Sequence, residues 1–166
     1  SHVVIIGGGL LGLEIAGALN SLLVPVTLLI RTHRLMSKQL DSLGSQLLRE
    51  MLEERGITIL TEEELDGCEG DYAIKSITLK SGKRLMCDTL IFATGTTPTI
   101  SLALQGGLEL KKGVIVSPTL QTSDSSIYAL GEIAEVNGHL YGITAAAVEQ
   151  AEVLSRHLLG DCSALY

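Results

Sequence analysis

The amino-acid sequence predicts an α/β protein built on a parallel sheet. Two aliphatic runs without polar alternation, Val3–Ile6 and Val26–Ile30, are typical of parallel strands buried on both faces. Segments with apolar residues at helical spacing separate such runs. The composition, 46 % hydrophobic and 19 % charged, is that of a globular chain with a core of its own. Together these observations favour alternating strands and helices.

The first half of the chain has the order β-α-β-α-β. A helix is expected over residues 10–22, after the first strand. A second helix is predicted from apolar residues at helical spacing, which are Leu40, Leu43, Leu47 and Met51. Gly56 is a plausible C-cap for it, and residues 57–60 form a third strand. This order requires a parallel sheet.

The pattern changes after the third strand. Residues 73–80 and 83–87 flank Ser81 and Gly82, which is a hairpin signal. Residues 89–93 again have the composition of a buried strand, so the chain is expected to return to the parallel sheet. Beyond Pro98 we expect strands near 113–116 and 127–130 and a helix over 144–159. We therefore predict a three-layer Rossmann-like sheet with an antiparallel β-meander crossover, followed by a partial domain.

Composition and charge argue against several classes of protein. The net charge of −7 argues against a nucleic-acid partner, and no apolar run reaches the roughly 18 residues of a membrane span. Neither a signal peptide nor an initiator Met is present, so a piece of a longer protein is expected. Cys68, Cys87 and Cys162 form no C-x-x-C pair, which suits a reducing cytoplasm. The four histidines do not cluster, and no metal site is predicted.

A glycine fingerprint, Gly7-x-Gly9-x-x-Gly12, follows the first strand and opens the first helix. Gly7 allows the tight turn, Gly9 lets a pyrophosphate approach the backbone, and Gly12 lets the helix approach the strand. The pyrophosphate would lie at the positive end of the helix. The candidate phosphate-binding residues are Gly7, Gly8, Gly9, Leu10, Leu11 and Gly12. The alternative is a glycine-rich turn with packing duties only.

The residues after the second strand leave the choice of dinucleotide open. An NAD site normally has an acid at the end of this strand, to accept hydrogen bonds from the ribose. Ile30 occupies that position here, and Arg31 and Arg34 follow it. The two arginines are able to pair with the 2′-phosphate of NADP, or they are solvated loop charges.

Two further candidates lie beside the predicted cleft. Glu14 is either a carboxylate favoured by the nearby helix N-terminus or a group that points into the cleft and holds the nicotinamide amide or a partner lysine. The small residues Ala93, Thr94 and Gly95 end a parallel strand and are expected to pass close to the dinucleotide. For Gly95, a simple turn is an equal alternative.

Three motifs together resemble the FAD-dependent pyridine nucleotide oxidoreductases of the glutathione-reductase type. GGGLLGLE (7–14) is similar to the start of their NAD(P)H-binding domain, and DTLIFATGTTP (88–98) to its return to the flavin domain. TSDSSIYALGEIAE (122–135) resembles the flavin-domain motif whose acid bonds the ribityl chain of FAD. The resemblance assigns that role to Glu132, which follows Gly131. Many members have Asp there.

Within this family, segments 34–57 and 131–154 are similar to the large subunits of NAD(P)H nitrite reductases and to rubredoxin and ferredoxin reductases. Members of this subgroup commonly use NADH without an acid at the Ile30 position. The resemblance therefore implies NAD(H), with NADP(H) as the alternative, and FAD in the full-length parent. It implies an NAD(P)H-binding domain over 1–98 and the C-terminal portion of a split FAD domain over 99–166.

The resemblance also implies a function and partners. Hydride would pass from NAD(P)H to FAD and then to a downstream electron acceptor, and no side chain of this chain would be catalytic. The missing N-terminal half of the FAD domain would be a partner. Without it, we expect an inactive piece that lacks FAD and either forms a homodimer through residues 114–159 or rearranges its tail. The alternative is a stand-alone sensing module, which would not need the motif around Glu132.

Overall fold

The computed structural model describes residues 1–166 and separates them into two units, Ser1–Gly95 and Thr96–Tyr166. The division falls shortly before the predicted boundary at residue 98. The assignment of the two units to an NAD(P)H domain and a flavin-domain portion stays a prediction.

The first unit contains two helices and seven strands. In chain order, its elements are β1 (Val3–Ile6), α1 (Leu10–Ser21), β2 (Val26–Ile30), α2 (Ser42–Glu54), β3 (Thr58–Thr61), β4 (Leu65–Glu69), β5 (Ser76–Leu79), β6 (Arg84–Met86) and β7 (Thr89–Phe92). Four strands form one sheet in the order β3-β2-β1-β7, and every pairing in it is parallel. The predicted parallel sheet is confirmed.

The parallel sheet is covered on both faces, which gives the three predicted layers. On one face, Ile5 and Leu28 pack in a cluster with Ala16 of α1 and Leu52 of α2. On the other face, Val4 and Leu29 pack with residues of the antiparallel strands β5 and β6. Burial on both faces explains why these strands contain continuous aliphatic runs.

The last strand of the sheet is less buried than the sequence predicts. β7 pairs only with β1 and lies at the edge of the sheet. The side chain of Phe92 is 63 % exposed, whereas an aliphatic and aromatic run predicts burial. An edge strand has a neighbour on one side only, so it gains less cover than β1 or β2.

The second helix forms as predicted, but with a different face toward the core. Asp41 caps it by accepting a hydrogen bond from the Gly44 N–H at 2.8 Å. Leu47 and Met51 of the predicted apolar stripe are exposed, while Ser45 and Leu52 are buried. The side that faces the sheet therefore includes a serine, and its hydroxyl is satisfied by the carbonyl of Leu35 at 2.8 Å.

The antiparallel layer contains one strand that the sequence did not predict. β4 (LDGCE) has little apolar character, yet it pairs with β5 through a bulge between Leu65 and Gly67. β5 and β6 form the predicted hairpin, and Gly82 in its turn has a φ of +85°. The cross-strand partner, and not the composition of β4, decides its conformation.

The second unit is smaller. Its elements are α3 (Ser101–Gln105), β8 (Val114–Val116), a 3₁₀ turn (Gly131–Ile133), β9 (Ala134–Val136), β10 (His139–Leu140) and α4 (Thr144–Leu158). The three strands form a sheet in the order β10-β9-β8. Residues 127–130 are not a strand, because only an isolated bridge joins Tyr128 to Gln121. Across both units, no helix combines the length and the apolar character that crossing a membrane requires.

Candidate functional site

Gly7 marks the point where the ends of β1 and β7 meet. Its φ is +131°, a conformation that L side chains rarely adopt. A Cβ atom at this position would lie 2.2 Å from the carbonyl oxygen of Ala93. The Ala93 N–H in turn donates to the Ile6 carbonyl at 2.8 Å. The structure therefore brings two of the predicted site residues into direct contact, and it leaves no room for a side chain between them.

Gly12 brings the first helix against the same turn. A Cβ atom there would lie 2.2 Å from the carbonyl oxygen of Gly7 and 3.5 Å from the Ala93 side chain. The next residue on this face of α1, Ala16, is fully buried. The start of α1 can approach the end of β1 only because both residues are small.

Gly8 and Gly9 differ from these two glycines and from each other. A Cβ atom at Gly8 would lie 2.9 Å from the Ile30 side chain, so Gly8 also packs tightly. A Cβ atom at Gly9 would meet nothing within 4 Å. Gly9 has an extended backbone and is the N-cap of α1, and its carbonyl accepts the first helical bond from Leu13 at 3.1 Å. The space beside Gly9 is therefore open.

The N-terminus of α1 carries a positive potential that no side chain offsets. Gly9 supplies no capping side chain, and the first turn contains no acid. The N–H groups of a first helical turn have no carbonyl partner within the helix, and the helix dipole favours an anion there. The side chains of Leu10 and Leu11 are exposed. This arrangement can bind the phosphate groups of a nucleotide.

Glu14 lies in the second turn of α1, because the helix begins at Leu10. A dipole effect fades beyond the first turn, so the electrostatic account of Glu14 loses its support. The side chain is exposed. Its proposed contact with the nicotinamide amide stays a prediction.

The loop after β2 folds back over the glycine turn. The Met36 N–H donates to the Gly8 carbonyl at 2.8 Å, and Met36 has a φ of +46°. Sequence reasoning missed this contact, since nothing about a methionine in a loop indicates it. The contact fixes the position of the loop that carries Arg31 and Arg34.

The two arginines of this loop have different surroundings. Arg31 is exposed, and its charge helps to lower the pKa of Glu64, a shift caused mainly by the hydrogen bond from Lys80. Arg34 is partly buried, and its Nη2 donates to the Ser37 carbonyl at 3.3 Å. Of these two arginines, only Arg34 lines a cavity beside α2. The structure therefore does not bring Arg31 and Arg34 together as one pair.

In the second unit, Gly131 and Glu132 form a turn held by a buried glutamine. Gly131 has a φ of +80°, and its N–H donates to Oε1 of Gln150 at 2.6 Å. Gln150 is fully buried in α4. The carboxylate of Glu132 is exposed and accepts a long hydrogen bond of 3.4 Å from the Thr96 hydroxyl. Sequence reasoning did not single out Gln150, because a glutamine in a helix is usually a surface residue.

Glu135 is a second buried polar residue that sequence reasoning missed. Only 3 % of it is exposed, and one oxygen accepts from the N–H groups of Lys112 at 2.8 Å and Gly113 at 3.0 Å. The hydrogen bond from Gly113 is the main cause that lowers the pKa of this carboxyl, and burial opposes it. Glu135 thus ties the loop before β8 to β9.

The remaining predicted residues are exposed at the end of the first unit. Thr94 and Gly95 follow Ala93, and Gly95 has a φ of +95°. The structure brings Gly7, Gly12 and Ala93 into one cluster, and Gly9 lies in the same turn beside open space. No group of three or more His, Cys, Asp or Glu side chains is arranged to hold a metal ion.

Comparison with known proteins identifies the family. Residues 1–151 match the family described as pyridine nucleotide-disulphide oxidoreductase, and the chain belongs to it. The predicted family is confirmed.

The similar curated proteins include subunits of nitrate and nitrite reductases. An assimilatory nitrate reductase electron transfer subunit of Bacillus subtilis is 39 % identical over 94 % of this chain, which covers 20 % of that protein. The large subunit of a nitrite reductase (NADH) of Escherichia coli is 37 % identical over 95 % of the chain and is covered over 19 % of its length. The chain thus spans about a fifth of these relatives.

Solved structures have the same fold. A FAD-dependent pyridine nucleotide-disulphide oxidoreductase from Desulfovibrio vulgaris superposes with a TM-score of 0.91 and 29 % identity. The match covers all of this chain and 44 % of the other.

Proposed function

We propose that residues 1–98 bind NADH and that the chain works within a longer flavoprotein reductase. In that protein, hydride passes from NAD(P)H to FAD and electrons continue to a separate redox centre. Membership of the pyridine nucleotide-disulphide oxidoreductase family supports this class of reaction. The names of the relatives, which include an electron transfer subunit and a nitrite reductase (NADH), support an acceptor beyond the flavin.

The observation that carries the proposal is the contrast among the glycines of the turn. Gly7 and Gly12 leave no room for a Cβ atom, whereas Gly9 faces open space at the N-terminus of α1. If the glycines of this turn served only close packing, a glycine would not be needed at position 9, where the surrounding space is open. A pyrophosphate that approaches the backbone there would accept hydrogen bonds from the free first-turn N–H groups of Leu10, Leu11 and Gly12.

The residues present fit a dinucleotide, and each has a physical role. The nicotinamide and the flavin supply the hydride chemistry when bound, and the protein supplies position and electrostatics. The small Ala93-Thr94-Gly95 segment keeps the edge of the cleft open beside Gly7. The exposed carboxylate of Glu14 holds the amide of the nicotinamide. No proton transfer from a side chain is required, so we assign no catalytic residue.

The second unit is proposed to complete a flavin site. Gly131 and Glu132 hold the ribityl chain of FAD, with the exposed carboxylate of Glu132 as acceptor for its hydroxyl groups. Gln150 positions this turn through its bond to the Gly131 N–H. The apolar side chains of Ile143, Val148 and Leu158 are at least half exposed, which supports an additional half-domain that covers them.

The test is a calorimetric titration of the chain with NADH, compared with two glycine variants. Gly9→Ala places a methyl group where the pyrophosphate would lie, and it is expected to weaken NADH binding at least about tenfold. Gly17→Ala is the matched control, because Gly17 lies on the same helix with open space around it. Thermal melting checks that both variants fold.

Two results would contradict the proposal. One is wild-type protein that does not bind NADH at millimolar concentration. The other is a folded Gly9→Ala variant that binds NADH as tightly as the wild type. If NADPH bound more tightly than NADH, the proposal of a dinucleotide site would stand, and the proposed specificity for NADH would be wrong.

A further inference from the structure

The second helix has two apolar faces, and the core of the first unit buries only one of them. Leu52 packs in the core cluster, whereas Leu43, Leu47 and Met51 are 63 %, 52 % and 53 % exposed. These three residues follow each other at intervals of four, so they form one continuous strip on the outer side of the helix. We call Leu43, Leu47 and Met51 the α2 strip. The proposed dinucleotide site does not use it.

The spacing of the α2 strip is that of a surface that packs against another helix. A helix on the outside of a globular protein normally has polar residues on its solvent side. Leu40, in the turn before the helix, precedes Leu43 by three residues and Leu47 by seven. This alternation of three and four residues is typical of the seam between two packed helices. The sequence therefore supplies a second seam that the fold of one chain leaves uncovered.

The charges beside the α2 strip argue against a membrane surface as its occupant. Glu50 follows Leu43 by seven residues and Glu54 follows Leu47 by seven, so both acids lie on the same side of the helix as the strip. Both are exposed. Helices that lie on lipid surfaces instead carry Lys and Arg beside their apolar face. The occupant is therefore a protein surface.

The two ends of the strip carry unpaired charges of opposite sign. Glu54 lies in the last turn of the helix, and Lys38 lies in the turn that precedes it. Both side chains are exposed, and neither forms an ion pair within the chain. A surface with an acid at one end and a base at the other is complementary to itself when it is turned end to end.

We propose that the α2 strip packs against the α2 strip of a second copy of this chain, with the two helices antiparallel and Leu47 at the twofold axis. Glu54 lies roughly 10 Å from Leu47 along the helix, and Lys38 lies at a comparable distance on the other side. Each Glu54 then meets the Lys38 of the other copy. A parallel pair would instead place the two Glu54 carboxylates side by side.

The contact is small, because each copy contributes a single helix. Interfaces of this size are transient, so the chain is expected to be monomeric at low concentration and dimeric at high concentration. The inference involves the first unit only and does not depend on dinucleotide binding. It differs from the homodimer predicted through residues 114–159, which would use the second unit.

The first test is analytical ultracentrifugation of the chain from about 10 μM to about 1 mM, the range that suits a small interface. Leu47→Glu places two carboxylates against each other at the axis and is expected to raise the dissociation constant at least about a hundredfold. Leu102→Glu is the matched control, because Leu102 is an exposed leucine of α3. Circular dichroism checks that both variants fold.

A charge-exchange experiment tests the antiparallel arrangement. Lys38→Glu alone and Glu54→Lys alone each place like charges at both ends of the contact, and each is expected to weaken self-association about tenfold. An equimolar mixture of the two variants should associate like the wild type, because opposite charges meet again at both ends. Lys83→Glu, an exposed lysine without an ion pair, is the control and should associate like the wild type.

Loss of the dimer in Leu47→Glu, together with recovery in the mixture, supports the inference. A wild-type chain that stays monomeric at about 1 mM overturns it and leaves the α2 strip to a different protein. A mixture that associates no better than its two components overturns the antiparallel arrangement. Association that Val148→Glu removes and Leu47→Glu leaves unchanged would place the contact in the second unit and also overturn the inference.

Discussion

The two units build their candidate sites in opposite ways. In the first unit, the turn after β1 depends on missing side chains, because Gly7 and Gly12 leave no room for a Cβ atom. In the second unit, the turn at Gly131 depends on a buried amide, and the neighbouring β9 strand carries a buried carboxylate, Glu135. The buried polar residues of the first unit are hydroxyl residues only, Thr27, Ser45 and Ser76.

The difference teaches which kind of site a sequence reveals. A glycine required by steric contact stands out as a fixed spacing within a β-α-β unit. A glutamine or glutamate that satisfies backbone groups stands out only when its partners are known. The following variants test this contrast, beginning with the largest expected effect.

Gly7→Ala is expected to destabilise the first unit by about 3 kcal/mol. The methyl group would overlap the Ala93 carbonyl, and the positive φ adds backbone strain. Urea unfolding followed by circular dichroism measures the change. Gly17→Ala should instead stabilise the protein by roughly 0.5–1 kcal/mol, because it replaces a flexible residue at an exposed position of α1. Equal effects of the two variants would show that the glycine turn is not sterically fixed.

Leu52→Ala is expected to cost about 2–3 kcal/mol, because it opens a cavity between α2 and the sheet. Leu47→Ala, on the exposed side of the same helix, should change the free energy of unfolding by less than about 0.5 kcal/mol. Leu52 is 8 % exposed and Leu47 is 52 % exposed, so the two variants compare a buried and an exposed leucine on the same helix. The same urea experiment applies, and a larger loss from Leu47→Ala would mean that the sequence-predicted stripe faces the core after all.

Gln150→Leu is expected to destabilise the second unit by about 1–3 kcal/mol, because the Gly131 N–H loses its acceptor. Hydrogen exchange at the Gly131 amide should accelerate, while amides of the first unit keep their rates. Gln105→Leu, an exposed position at the end of α3, is the control. Unchanged exchange at Gly131 would mean that the hydrogen bond to Gln150 does not hold the turn.

The smallest expected effect is the loss of stability at low pH when the carboxylate of Glu135 is protonated. Its folded pKa lies below the ordinary value of 4.5, mainly because the Gly113 N–H bonds the carboxylate. The unfolded state therefore binds the proton more readily, so the stabilisation is present above pH 4.5 and is lost as pH falls through the folded pKa. Melting temperatures measured from pH 7 downward should show this loss.

Glu135→Gln should flatten that decline, because glutamine does not titrate. Glu152→Gln on the exposed side of α4 carries the same charge change and should leave the decline as it is in the wild type. If the melting temperature of Glu135→Gln fell with pH as steeply as that of the wild type, the pH dependence would come from other carboxyl groups.

Much of the first unit could be predicted from the sequence. The continuous runs of β1 and β2, the helix after the glycine turn and the hairpin at Ser81 and Gly82 all have local signals. β4 could not be predicted, since its charged and glycine residues become a strand only beside β5. The prediction of which face of α2 is buried was wrong for a related reason. This helix has apolar residues on more than one side, and its packing against neighbouring elements decides which side is buried.

By itself, the sequence determined the β-α-β-α-β order that builds the parallel sheet, the position of the glycine turn and the family of the chain. These features follow from local spacing, in which each residue acts through neighbours a few positions away. The tertiary structure alone decided that Arg31 and Arg34 have separate surroundings, that Met36 bonds to Gly8, and that Gln150 holds Gly131. Such contacts join residues distant along the chain, or choose between directions that the same local sequence allows, and only the folded backbone fixes them.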